Sequence, residues 1–242
     1  MQVSFYIHIP FCIKKCPYCV FYKTHYNHTL EHKLVDALIQ EIQFYKRHYP
    51  YMKPRTLFVG GGTPSALTKR SIETLFSAFF DAFPMEKTSE KTIEINPDYV
   101  TKSKLESLYQ LGFNRISLGA QSFIQSELTF LGRTHSPQKT QDTVFMIKEV
   151  GFNNLNLDYM FGLPNTTTSS VEHSLKTLLS LEPKHISTYG LSIEKGTPFY
   201  RNKIQKLQPE HEAKQYRIIQ NTLKEHAFQH YEVSNFSKQT YQ

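Results

Sequence analysis

The chain has very little cysteine. There are three, at positions 12, 16 and 19, and none elsewhere in 242 residues. A disulfide framework distributes cysteines in pairs along a chain, so this is not one. A tight group of thiols belongs to a reducing compartment. Long apolar runs are also missing: no stretch approaches the roughly 18 uninterrupted apolar residues of a membrane helix, so no transmembrane segment is expected. The opening MQVSFYIHIP lacks the three regions of a signal peptide, and a cytoplasmic location is expected. Lys and Arg outnumber Asp and Glu by 28 to 21, but they are scattered, with tight knots only at Lys14-Lys15 and Lys46-Arg47. A nucleic-acid surface shows a basic stripe or a reading motif, so no nucleic-acid partner is expected, whereas a small carboxylate-bearing ligand is compatible with the charge. There is no low-complexity tract or linker, and residues 1–242 read as one domain.

What is present is an alternation of short β-rich and longer amphipathic runs. Strands are expected at 3–9, 56–59, 92–95, 115–118, 154–159 and 185–191, with a last one at 231–233. The intervening helices include 30–47, with Leu34, Leu38 and Ile42 on one face, and one capped by Thr68 that carries Ile72, Leu75, Phe76 and Phe79. Further helices are expected from Thr101 to a stop at Gly112, near Ser126, from Ser136-Pro137 to Gly151, and over 169–181 and 209–226. Six strand–helix units imply parallel strands of the α/β class, either an open sheet or a partial barrel.

Ligands in such folds bind at the carboxyl ends of the strands. The cysteine loop follows the first strand, GGGTP (60–64) the second, Glu94 ends the third, and Gln121 follows the fourth. Asp158 lies near the end of the fifth, and Gly190 ends the sixth. The cysteine segment reads CIKKCPYC, a C-x3-C-x2-C spacing. Three thiolates can each reach one iron of a cubane that takes four ligands, which leaves one iron open. Structural zinc needs a second ligand pair; His8 or His25 completing a Cys3His site keeps a zinc-binding module as an alternative. The glycine run alone favours a tight strand–helix turn over a ligand cradle. Glu94, Gln121, Arg133 and Asp158 are individually ordinary polar residues, and gain weight only by sharing one rim.

The run YIHIPFCIKKCPYC (6–19), followed in order by GGGTP (60–64), EINP (94–97), LGAQSF (118–123), LGRTH (131–135), LDYMFGLP (157–164) and YEVSNF (231–236), resembles the oxygen-independent coproporphyrinogen III oxidase group of the radical S-adenosylmethionine (SAM) superfamily. The resemblance spans essentially the whole chain. It implies a partial (β/α)6 barrel of the radical SAM type. Cys12, Cys16 and Cys19 would hold a [4Fe–4S] cluster whose open iron is chelated by SAM, and an electron from the reduced cluster would split the sulfonium to give a deoxyadenosyl radical. Tyr6, Gly61, Gly62, Thr63, Glu94, Gln121, Arg133, Asp158 and Gly190 match SAM-contact positions, and Tyr18 matches an aromatic position near the adenine.

Within this group the oxidase pattern has a fourth cysteine two positions after the third, where this chain has Phe21, and a substantial segment before the cysteines. Both differences resemble the heme-chaperone branch instead, whose members bind heme as cargo and pass it to respiratory proteins. The partners implied are SAM, heme or a porphyrinogen, an electron donor and heme-accepting respiratory proteins. The alternative is oxidative decarboxylation of coproporphyrinogen III. The family's C-terminal domain is expected to be absent from residues 1–242, which would then be the radical SAM core alone.

Overall fold

A computed structural model describes residues 1–239 and 241. They form two compact units. The first comprises Met1–Lys14, Phe21–Ile116 and Met146–Phe152, and the second Lys15–Val20, Ser117–Phe145 and Asn153–Gln242.

The first unit contains β1 (Gln2–Ile9), β2 (Phe11–Cys12), β3 (Thr24–His25), α1 (His28–His48), β4 (Lys53–Gly61), α2 (Lys69–Ala82), β5 (Lys91–Ile95) and α3 (Lys102–Gln110). Strands β1, β4 and β5 pair in parallel, with Ile9 opposite Gly61 and Val59 opposite Ile93. Their side chains alternate, so Ile7, Ile9, Leu57, Val59, Ile93 and Ile95 are buried. Against them α2 lays the expected stripe of Ile72, Leu75, Phe76 and Phe79, and Phe5 meets the Phe79 ring edge-on at 5.3 Å. Thr68 and Thr101 cap α2 and α3 as expected, and Gly112 at φ 94 closes α3. One expectation shifts. The buried positions of α1 are Glu31, Val35 and Ile42, while Leu34 and Leu38 are only half-buried. The helix is turned by the need to face a carboxylate inward: Glu31 accepts hydrogen bonds from Tyr26, Thr68 N–H and the Thr68 hydroxyl.

The second unit takes β6 (Arg115–Gln121) from Ser117 onward. It continues with α4 (Gln125–Phe130), the start of α5 (Pro137–Val150), β7 (Asn154–Phe161), α6 (Thr168–Ser180), β8 (His185–Gly190), α7 (Pro198–Arg201), α8 (Pro209–Glu225), β9 (Gln229–Glu232) and β10 (Asn235–Ser237). The strand order is β6-β7-β8-β10-β9, with β7 and β8 parallel and β10 antiparallel to both its neighbours. The strand expected at 231–233 therefore forms two residues earlier, as one arm of a hairpin whose second arm the sequence pattern does not reveal. Strand β7 also runs two residues further than expected, so Asp158 lies three residues from its end rather than one. The α/β class with parallel strands is borne out. No helix among the described residues is long and apolar enough to cross a membrane.

Candidate functional site

The residues singled out by sequence fall into both units, and each half has its own geometry. In the first unit, the ends of β1 and β4 are pressed together by glycine. Gly62 N–H donates to Ile9 O at 2.8 Å, and a Cβ on Gly62 would lie 2.7 Å from the Pro10 and Phe11 carbonyl oxygens. Gly61 has φ 122, and its Cβ would strike the His8 ring. A Cβ on Gly60 would stand 3.0 Å from a Glu94 carboxylate oxygen, and that same oxygen accepts from Gly61 N–H at 3.3 Å. The glycine run is thus a close-approach turn that also gives Glu94 its place. Thr63 lies 3.7 Å, oxygen to sulfur, from buried Cys12. Tyr6 is more than half exposed, bonds His8 Nδ1 and stacks on Phe58. Desolvation and the nearby Glu94 charge push its phenol up.

In the second unit, the Cys19 amide donates to Cys16 O at 3.3 Å, closing the loop between two half-buried thiols. Phe199 N–H holds the loop through Pro17 O at 3.1 Å. Tyr18 packs against a buried cluster that includes Leu131, Met160 and Phe199. Burial pushes its phenol well up, with Cys16 acting in the same direction. Arg133 places Nη1 3.8 Å from Cys16 Sγ and Nη2 2.8 Å from Gly119 O, while its buried Nε has no hydrogen-bond partner among the described residues. Burial opposes its charge, but Tyr18, Cys16 and Asp158 outweigh it and hold the guanidinium protonated. Gln121 ends β6 in the left-handed region at φ 67, a conformation that side-chain-bearing residues rarely adopt. Backbone strain of this kind gathers at functional sites. Asp158 accepts from Asn156 at 2.8 Å. Gly190 leaves room for Glu212, whose carboxylate oxygen would be 2.8 Å from a Cβ there.

Each unit therefore gathers its own share. Tyr6, Cys12, Gly61, Gly62, Thr63 and Glu94 cluster at the strand ends of the first. Cys16, Tyr18, Cys19, Gln121, Arg133, Asp158 and Gly190 lie in the second. None of the cysteines is in a disulfide. Among the described residues no three His, Cys, Asp or Glu side chains stand close enough to share one metal ion. Thiolates that each bind a different iron of a cubane need not do so. The donor set suits such a cluster: soft sulfur ligands with an arginine cation beside one of them. An orphaned, buried Nε on that arginine suits an anionic acceptor such as a carboxylate.

Sequence reasoning missed Gln215, whose Oε1 accepts from Gly162 N–H at 2.9 Å, and Asn156, buried beside Asp158. A signal existed for the second: positions two apart on a strand share a face.

The radical SAM superfamily profile matches residues 6–178. The chain is 39% identical to the heme chaperone HemW of Bacillus subtilis, over 97% of this chain and 63% of that one. It is 32% identical to the mitochondrial radical S-adenosyl methionine domain-containing protein 1 of Bos taurus, over 98% of this chain and 54% of that one. It thus spans less than two thirds of these relatives. Among solved structures, the coproporphyrinogen III oxidase HemN of Escherichia coli, a radical SAM enzyme, superposes with a TM-score of 0.91 at 26% identity, over 99% of this chain and 56% of that one.

Proposed function

The chain belongs to the radical SAM superfamily, and on that premise we propose that it is a heme-binding transfer protein of the HemW kind, carrying a [4Fe–4S] cluster and SAM. The observation that carries this reading is the likeness to HemW over 97% of the chain. Phe21, where the oxidase pattern has its fourth cysteine, agrees with it.

Cys12, Cys16 and Cys19 would hold the cluster from one eight-residue loop. When bound and reduced, such a cluster supplies the electron that cleaves the SAM sulfonium. The rest falls to the chain's own side chains. Arg133, fixed by Gly119 O, offers its unpartnered Nε to the ligand carboxylate. Glu94 and Asp158 supply acceptors for ammonium and hydroxyl groups, and the Gly61-Gly62 turn exposes backbone without side-chain bulk. Tyr18 and the apolar cluster beneath it keep water from the inner side of the loop. Heme is the cargo, a reductant supplies the electron, and respiratory proteins accept the heme.

The test is anaerobic reconstitution with iron and sulfide, followed by three measurements on the same preparation. An EPR signal of a reduced [4Fe–4S] cluster that SAM perturbs, a Soret band that saturates with added heme, and no conversion of coproporphyrinogen III are expected. Decarboxylated product would establish the oxidase reading instead. Zinc without iron would establish the metal-binding module.

A further inference from the structure

Strands β7 and β8 pair in parallel with Asn156 opposite His185 and Asp158 opposite Ser187. Strand alternation puts these four side chains on one face. Asn156, His185 and Ser187 are all at most 4% exposed, so their polar groups must find partners within the protein. They find one another. The Asn156 amide donates to Ser117 Oγ at 2.8 Å and to Asp158 Oδ1 at 2.8 Å. Its oxygen accepts from Ser187 Oγ at 3.1 Å and from His185 Nδ1 at 2.7 Å. All four hydrogen-bonding positions of the amide are engaged, so its orientation is determined: nitrogen toward the carboxylate, oxygen toward the imidazole. An amide oxygen only accepts, so His185 carries its proton on Nδ1. In the neutral imidazole, Nε2 then accepts from the Tyr231 hydroxyl at 2.6 Å.

The result is a directed chain, Tyr231 to His185 to Asn156 to Asp158. It connects β9, through β8 and β7, to a carboxylate that the family resemblance matches to a SAM contact. Tyr231 opens the motif YEVSNF, to which nothing else in the site gives a role.

We propose that Tyr231, His185 and Asn156 are positioning residues that aim the Asp158 carboxylate at its ligand, an inference that rests on the reading of Asp158 as a SAM contact. One oxygen of Asp158 accepts from the amide at 2.8 Å, which removes rotamer freedom that binding would otherwise have to freeze.

Two arms test it. The first needs no ligand: crystal structures of the wild type, Tyr231→Phe and Asn156→Asp. The Asn156→Asp change keeps shape but sets a second carboxylate against the first, and Asp158 is expected to leave its wild-type rotamer. Tyr231→Phe removes one hydroxyl from a half-exposed ring and serves as the milder variant. The second arm is SAM affinity of the reconstituted proteins by equilibrium dialysis, with iron content and melting temperature recorded alongside. Asn156→Asp is expected to weaken binding about 10-fold, and Tyr231→Phe about 3-fold. Combined with Asp158→Ala, neither is expected to add to the loss from Asp158→Ala alone, whereas a merely structural role would add. An unmoved Asp158 in Asn156→Asp, or losses that add to Asp158→Ala, overturns the relay. Wild-type protein that takes up iron but no SAM overturns the SAM reading instead, and the rotamer comparison still decides the relay.

Discussion

Gly132 makes room for Pro17: a Cβ on Gly132 would lie 2.6 Å from Pro17 Cδ. Gly132 also has φ 69 and ends α4, so the helix stop and the seat of the Cys16–Cys19 loop are one residue. Gly132→Ala therefore meets both a strained backbone and a clash with a ring that has little freedom to move. We expect Gly132→Ala to lower iron incorporation on reconstitution at least several-fold while the protein still folds, as read by iron per chain and circular dichroism. Unchanged iron content would show that the loop is not seated by this contact.

Gln121 stores strain at the end of β6. Gln121→Gly removes the conformational penalty, on the order of 1 kcal/mol, and also removes the side chain proposed to meet SAM. The melting temperature is expected to rise and SAM affinity to fall, the trade expected where a fold holds a strained residue for function. A variant with both properties unchanged would make the left-handed turn structurally and functionally neutral.

Glu31 is fully buried at the start of α1 and serves the first unit as an internal acceptor. Burial works against its charge, but hydrogen bonds from Ser71, Tyr26 and Thr68 outweigh it and hold the carboxyl below its ordinary value of 4.5. A depressed carboxyl contributes stability that is present above that value and lost as pH falls through the folded one. Glu31→Gln is expected to destabilise by about 1–2 kcal/mol at pH 7, with the gap from wild type closing in denaturant titrations taken progressively below pH 4.5. A gap independent of pH would mean that shape, not charge, is what the site uses.

Glu127 is the opposite case. Desolvation dominates and raises its carboxyl, although Ser122 donates to it. A raised carboxyl contributes stability below the unfolded value that is lost as pH rises through the folded one. Glu127→Gln keeps the acceptor for Ser122 and loses the charge. Thermal melts are expected to show the variant more stable than wild type at pH 7.5 and level with it at pH 4. A variant less stable at both would show that the site uses the shape and protonated form of Glu127 rather than being burdened by its charge.

Much of the candidate site was legible because it is local. The cysteine loop is eight residues long, and its spacing narrows the chemistry to a metal centre with three thiolates. Strand positions are legible to within a few residues: Glu94 falls at the end of β5 as expected, whereas β6 runs on from 118 to include Gln121. The helix caps at Thr68 and Thr101 are read from residue type, because a side-chain oxygen two or three residues from a bare amide is a local matter. Features that failed are those decided at a distance. The three-residue strand β10 carries no period long enough to read, and it exists because β8 offers it an edge. The face of α1 is rotated onto Val35 because a buried Glu31 needs Thr68, 37 positions away.

By itself, then, the sequence determined the α/β class, the order of the long strands and helices, and a three-thiol loop with its neighbouring glycine turn. All of these arise from patterns a few residues wide. Only the tertiary structure decided which partners those patterns meet: that Arg133 stands over Cys16 from 117 residues away, and that Asn156 lies between His185 and Asp158. Strand register sets these meetings, and register is chosen by the burial of whole faces at once, which no short window of sequence contains.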